Sequence, residues 1–546
     1  MQPTTDPRAD HQIAIIGTGV TGAMLGAVLA RNGVRVLLLG ADEHPRHEPG
    51  ELTLPCTSFL YELIAARYRV PEIATLAFAD RVRAEVSGAS GVHRTFGFAH
   101  HTEGRAHRRY ESLQFNVPSE HGESHLYRPD VDAWLLALAV RHGAEVRQRV
   151  RVEKAIPEDG GVRLVTATGE ELTAACVVDT SGPGSAVAQA LGGTVEHAGP
   201  TTRVISAHAV GVRPFDEVSP HLDGSPSWHE GTLHHVFDGG VLWVSHLDNA
   251  GQTPERTALT SVGLALTGGD APAGDGGWAE IRAHLARFPS LAAQFADASA
   301  LVTWVDERPE WHATVTAGDR MLLLDRAALG GSPLLGRDLY VSAQLVHTAA
   351  ADLLGAARDG DFGVGRFRYL QRLQHGMAAR QRRLSAAVHA AGGQFPLWNA
   401  MGRVWLLGTM LDALTLKRGL KLLRAGRIEQ ASAALRTRTP ETGACHQTLP
   451  EYEELLDWTL AECELARAGE VTPRQASDRI FQRLRRERIA PPIYGFGEPE
   501  DLDYSLSLRR RLRTLRWVRR EAAPGVRRLV QSYGVRGGGK GGADDD

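Results

Sequence analysis

Lysine is almost absent from this chain of 546 residues: Lys154, Lys417, Lys421 and Lys540 are the whole complement, and arginine carries the rest of the positive charge. Cysteine is equally scarce. Cys56, Cys176, Cys445 and Cys463 are widely spaced with no C-x-x-C pair, which excludes a disulfide framework and a cysteine zinc site. A formal net charge of -3 leaves no concentrated basic surface for nucleic-acid phosphates. The most apolar late run, Leu397 to Leu416, is interrupted by Arg403 and Asp412, so it reads as a buried or amphipathic helix rather than a membrane span. Neither an H-E-x-x-H metal spacing nor a G-x-S-x-G nucleophile elbow occurs, and the opening MQPTTDPRAD lacks the apolar core of a secretory leader. These absences lead to the expectation of a cytoplasmic protein with no metal centre, no nucleic-acid partner and no integral membrane segment.

What is present begins at once. The apolar run Ile13-Ala14-Ile15-Ile16 leads into Gly17-Thr18-Gly19-Val20-Thr21-Gly22, a helical stretch to Arg31, the stop Asn32-Gly33 and a second apolar run, Val36 to Leu39. This is a strand, a glycine turn, a helix and a strand. In such a unit the first glycine permits the tight turn, the second lets a pyrophosphate approach the backbone, and the third lets helix pack on strand. The helix N-terminus then faces the anion. The acidic residue expected at the end of the second strand is replaced by Gly40, which leaves Asp42, with Glu43 beside it, to reach the ribose from the loop.

Further along, Tyr127 to Asp132 opens a helix, strands read at Val162 to Thr166 and Ala175 to Asp179, and Thr180 to Ser185 forms another glycine turn. From about residue 200 to 315 the pattern changes to short strands with turn signals, as in Thr232 to Phe237, Asp238-Gly239-Gly240 and Val241 to Ser245. Met321 to Asp325 reads as a strand returning to the first unit, and beyond Phe362 the pattern is almost all helical. The expected fold is α/β: a Rossmann-like dinucleotide-binding domain with an antiparallel-sheet substrate domain and an α-helical C-terminal region. Its expected boundaries are 11-200 for the first part of the dinucleotide domain, 201-315 for the antiparallel sheet, 316-390 for the return, 391-530 for the helical region and 531-546 for a disordered tail. Within the helical region Leu508, Leu512 and Leu515 recur among seven arginines from Arg509 to Arg520, a basic amphipathic helix expected to lay an apolar stripe inward beneath a solvated charged face.

The order of landmarks resembles the flavin-dependent halogenase and FAD-monooxygenase superfamily. It runs from the glycine turn through the loop His44-Pro45-Arg46-His47-Glu48-Pro49-Gly50-Glu51-Leu52-Thr53-Leu54-Pro55 to Arg128 before a helix, and then to Asp325 before Gly330-Gly331-Ser332-Pro333. The loop is similar to the family's HPR-x-x-x-GE-x-x-x-P signature, and Pro333 to Gly336 is similar to the loop beside the flavin ring. The resemblance implies FAD as cofactor. It places Gly17, Gly19, Gly22, Asp42, Arg46, Glu51, Arg128, Asp325, Pro333 and Gly336 around it.

The resemblance also marks departures. The family's halogen-carrying lysine follows the Gly-Glu loop, but no lysine precedes Lys154, and the stretch Gly91 to Phe98 offers His93 and Arg94. The signature Trp-x-Trp-x-Ile-Pro corresponds to Val241 to His246, which keeps only Trp243. Asp338 follows the flavin-side loop and brings a negative charge toward an anion site, with Arg337 beside it. His93, Trp243 and His246 are therefore the catalytic candidates, Trp243 and His246 as parts of the substrate wall. Of the adjacent His234 and His235, only one can face a given pocket. The expected function is a FAD-dependent, halogenase-like monooxygenase acting on a small aromatic or polyketide-type molecule in secondary metabolism. Its expected electron source is NAD(P)H or a partner flavin reductase. The alternative, suggested by Gly40, Leu324-Asp325 and Asp338, is a non-catalytic flavoprotein scaffold that binds a partner through its helical C-terminus.

Overall fold

Ile13 to Ile16 are buried on both faces of the strand, as a central parallel strand requires. In the computed structural model, which describes residues 10–48, 50–117, 122–197, 202–222, 225–250, 258–267, 277–307, 310–331, 334–436, 449–502 and 507–532, the strand His11–Ile16 lies between Val36–Leu39 and Glu171–Asp179. Met321–Leu323 pairs parallel on the far side of Glu171–Asp179, and Glu145–Arg147 closes the opposite edge. The helix Val20–Arg31 packs between the helices Arg128–Arg141 and Asp338–Asp359. The result is a doubly wound sheet whose glycine turn opens at the carboxyl ends of the strands, where such sheets take ligands.

A second, seven-stranded sheet runs in the order Ser299–Glu307, Thr202–Val210, Thr260–Thr267, Gly240–His246, Gly231–Phe237, Thr95–His100 and Ser112–Asn116. It is antiparallel except where Thr95–His100 runs parallel to Gly231–Phe237. Two of its strands thus come from before residue 117, so the sequence boundary at residue 200 does not separate the sheets. Val195–His197 likewise pairs with Trp311–Ala313 across it.

The helix Phe395–Arg424 joins the layers. It lies on the helix Pro55–Tyr68. Trp405 and Trp398 meet Phe96 and Phe98 of the second sheet at 5.1 and 5.2 Å between ring centroids. Among the described residues no helix is long and apolar enough to cross a membrane, and the charges inside the apolar run have local tasks. Arg403 is wholly buried and donates to Asn399 and to the carbonyls of Gly495, Pro499 and Asp501. Asp412 accepts from the Tyr340 hydroxyl at 3.3 Å.

The basic helix Leu508–Arg520 forms where expected but turns the other way. Trp517 and Val518 pack inward, while Leu508 and Leu512 are 74% and 59% exposed. Its docking face is set by Arg510, which grips Asp501 through two 2.8 Å contacts, and not by the leucine stripe. Residues 533–546, most of the tail expected to be disordered, lie outside the described residues, whereas 531 and 532 continue the helix Pro524–Ser532.

Arg403→Met should leave the Asp501 carbonyl without its donor, while the Gly495 and Pro499 carbonyls keep the Glu498 N–H and the Asn399 amide. The expected loss is about 1–3 kcal/mol, the cost of one stranded polar group. A lower thermal midpoint, with faster amide exchange concentrated in residues 492–501, would check this.

Candidate active site

The glycine turn has the shape its sequence demands. Gly17 has φ +108°, and a Cβ there would stand 2.4 Å from the Thr180 hydroxyl; at Gly22 it would stand 2.0 Å from the Gly17 carbonyl oxygen. Those two glycines serve the turn itself. Gly19 differs: the nearest atom to a Cβ there is a guanidinium nitrogen of Arg46 at 3.2 Å, so it faces a space shared with that charge. At Gly40 a side chain would collide with Thr18, at 2.7 Å, which explains why no acidic residue ends the second strand.

These residues border an elongated cavity of about 1070 Å³. Gly17, Gly19, Gly22, Asp42, Arg46, Arg128 and Asp325 all line it, as do Gly330 and Gly331. Arg128 chelates Asp132 at 2.7 and 2.9 Å and donates to the Gly50 carbonyl at 3.1 Å, tying the helix start to the loop. Asp325, in the left-handed region at φ +53°, accepts from the hydroxyls of Thr21 and Ser342. The cradle fits FAD: backbone N–H groups at a helix start suit the pyrophosphate, and Arg46, whose Nε lies 3.3 Å from Glu48 Oε1, turns a terminal guanidinium nitrogen toward Gly19. Among the described residues no three His, Cys, Asp or Glu side chains converge as metal ligands.

A second cavity of about 50 Å³ adjoins the first. Ser206, Trp304, Asp338 and Leu339 line both. Glu51 and Gly336, expected at the cofactor, line this second cavity and not the large one, because Glu51 turns its carboxylate to His208, 2.7 Å away. Pro333 lies outside the described residues.

Trp243 also lines the second cavity, its ring lying over Gly263, where a Cβ would overlap it at 1.8 Å. His93 and His246 line neither cavity. His93 is fully buried with Nδ1 3.0 Å from the Thr53 carbonyl, and Nε2 has no partner. His246 is buried beside the Thr260 hydroxyl at 3.1 Å, a position set by the strand pleat, which turns it away from the cavity that Trp243 reaches. Of the paired histidines, His234 reaches the second cavity and stacks on Phe96 at 4.6 Å, while His235 meets His101 at 2.9 Å on the other face. Sequence reasoning missed Ser206, His208, Thr232, Ser261 and Trp304, which share no motif and converge only through strand register.

The electrostatics follow burial. Desolvation pushes Asp338 up to about 6, against the pull of Arg326, Arg128 and Arg337. It also holds His93 well below its ordinary value, His125 and His234 down to about 4, and His246 down to about 3, so all four are neutral at pH 7.

Comparison with known proteins places this geometry among flavin enzymes. Residues 10–239 match the FAD binding domain family. Along its length the chain is 33% identical over 539 residues to the monodechloroaminopyrrolnitrin halogenase PrnC of Pseudomonas fluorescens, covering 96% of this chain and 95% of that protein. It is 32% identical over 550 residues to the tetracycline 7-halogenase of Kitasatospora aureofaciens, covering 95% of each. The crystal structure of halogenase PltM in complex with phloroglucinol and FAD superposes with a TM-score of 0.84 at 28% identity, covering 90% of this chain and 99% of that one. The cofactor is FAD, and the alternative of a non-catalytic scaffold has no support in these relatives, which are enzymes over their whole shared length.

Two outcomes test the site. Gly19→Val should weaken FAD binding by about a hundredfold or more in a fluorescence titration, with an unchanged circular dichroism spectrum, because the side chain enters the space shared with Arg46. The buried histidines bind protons less readily folded than unfolded, where their value is near 6.5. Stability should therefore fall as pH drops from about 6.5 to about 4, by about 1.4 kcal/mol per histidine per pH unit within that window. Thermal melts should show that decline, and His246→Asn should flatten part of it.

Proposed function

This chain belongs to the family of FAD-dependent halogenases and is a flavin-dependent oxidoreductase of secondary metabolism, and on that premise we propose that it transfers oxygen, rather than halogen, to a small aromatic or polyketide-type substrate. The observation that carries this reading is the position of Asp338 where the two cavities meet, with Glu51 lining the smaller one. A halide that rests there is an anion among carboxylates. One unit charge about 4 Å from another costs about 4 kcal/mol at an effective dielectric of about 20, which is about a thousandfold in occupancy. Two of the guanidiniums are engaged elsewhere, Arg128 with Asp132 and Arg46 with Glu48 at 3.3 Å, while Arg326 and Arg337 act on Asp338 itself.

The second support is the amine that is missing. No lysine precedes Lys154 in the chain. The His93 imidazole in that region is buried, neutral and tied to the Thr53 carbonyl.

What remains suits binding and orientation. The hydroxyls of Ser206, Thr232, Ser245 and Ser261 with the Trp243 ring offer a polar floor beside an aromatic wall. At about 50 Å³ the second cavity takes the hydroxyl end of a substrate or a water, not a whole ring. The ring therefore sits at the junction, against Trp304 and Leu339. Bound FAD supplies the activation of dioxygen, with electrons from NAD(P)H or a separate flavin reductase. One relative is a tetracycline 7-halogenase and halogenase PltM was crystallised with phloroglucinol, which supports the substrate class.

Incubation with FAD, a flavin reductase, dioxygen, bromide and a panel of phenols and polyketide aromatics should give oxygenated products without bromine by mass spectrometry. Brominated product from the native protein would overturn the reading. Asp338→Gly should gain bromide-dependent product. Because the Asp338 carboxyl is raised to about 6, it loses its charge as pH falls through that value. Bromide binding by the native protein should strengthen below about pH 6, and in Asp338→Asn it should not vary across that range.

A further inference from the structure

We propose that His47, His208 and Glu51 form a proton relay joining the two cavities. This inference rests on the oxygenation proposed above. His208 stands on the strand Thr202–Val210 and is buried. Its Nε2 lies 2.7 Å from Glu51 Oε1 and its Nδ1 lies 3.0 Å from His47 Nδ1. Both ring nitrogens are thus engaged, at opposite ends. His47 lines the large cavity, Glu51 lines the small one, and His208 itself borders neither.

The neighbours hold this alignment. The Trp304 ring meets His208 edge-on at 5.4 Å and stacks on His47 at 6.4 Å, and Tyr127 approaches His208 at 5.8 Å. A contact between two imidazole Nδ1 atoms at 3.0 Å requires one to carry a hydrogen and the other to be bare. Moving the proton at that end of His208 therefore obliges a matching change at the Glu51 end.

The transfer balances. A proton on Glu51 Oε1 passes to His208 Nε2 while the His208 Nδ1–H passes to His47 Nδ1. One O–H and one N–H bond break, two N–H bonds form, and His208 ends neutral as its other tautomer. His47 then releases a proton from Nε2 into the large cavity. Burial and the neighbouring His208 lower the proton affinity of His47, which favours that release.

Oxygenation gives the relay its use. The overall change is ArH + O2 + 2 e⁻ + 2 H⁺ → ArOH + H2O, with the electrons from the reduced cofactor. The substituted carbon would shed a proton on the side of the small cavity, and bound FAD in the large cavity would supply the dioxygen chemistry that takes protons up. Glu51 and His47 stand at those two ends.

The test uses the FAD-loaded protein and the variants His208→Gln, His208→Gly and Glu51→Gln. In spectra of protein labelled with ¹⁵N-histidine, Glu51→Gln should shift the His47 nitrogens, and it should shift them less when His208 is also replaced by Gln, because the direct charge effect of Glu51 on His47 remains in the double variant while the relay does not. An unmoved His47 signal, or a shift as large in the double variant, overturns the relay whether or not any substrate is turned over. Absence of product from the native protein, by contrast, counts against the oxygenation reading alone. Where product forms, His208→Gln should lower kcat by about a hundredfold, in the range of general acid–base effects, with FAD affinity within about twofold of native. Added imidazole should restore turnover to His208→Gly. An unchanged kcat and solvent deuterium isotope effect, or a loss of FAD affinity parallel to the loss of kcat, overturns the relay.

Discussion

The buried carboxylate of Asp325 accepts hydrogen bonds from Thr21 on the first helix and Ser342 on the long helix that starts at Asp338. It does so from a left-handed backbone position at the end of the last parallel strand, Met321–Leu323. Three elements far apart in the chain are thereby held around one point. The glycine turn, the end of the parallel sheet and the residues around Asp338 become walls of a single cavity, and the cofactor's environment depends on that junction. The loop from Arg46 to Pro55 completes it, fixed by Arg128 to the Gly50 carbonyl and buttressed from behind by the helix Phe395–Arg424 lying on Pro55–Tyr68.

Around this frame the charges are arranged by burial as much as by pairing. Desolvation keeps His93 and His125, on the strand pair Gly91–His93 and Glu123–His125, and His234 and His246, in the second sheet, neutral, and keeps Asp338 a weak acid at the mouth of the small cavity. A neutral imidazole can accept and donate in the same geometry, whereas an ammonium can only donate. His234 therefore brings a neutral, bifunctional group to the second cavity. Membership of the halogenase family fixes the cofactor and the scaffold; in the proposed reading the reaction is set by the few side chains where the cavities meet.

The parts of this arrangement that were readable in the sequence are those with local causes. The strand, turn and helix from His11 to Arg31 follow from an apolar run, three glycines and a helical period, and each glycine performs a task that only a residue without a Cβ allows. The paired His234 and His235 split to opposite faces because strand pleating requires it. Glu51 could not be placed in this way. Its motif points to the cofactor, yet its side chain is captured by His208, a residue more than 150 positions away whose nearness depends on the register of another strand.

By itself, the sequence determined the dinucleotide turn, the alternation of layers and the helical C-terminal region, since each is written in contiguous residue types whose backbone and packing preferences act over a few positions; FAD followed from the family resemblance of the motifs. Only the tertiary structure decided which charges meet where the two cavities join. The meeting of Asp338 with Ser206 and Trp304, the His47–His208–Glu51 chain, and the outward turn of Leu508 and Leu512 arise from contacts between distant segments. Burial, which sets whether Asp338 and the histidines carry charge, is a property of the folded whole and has no local signature in the chain.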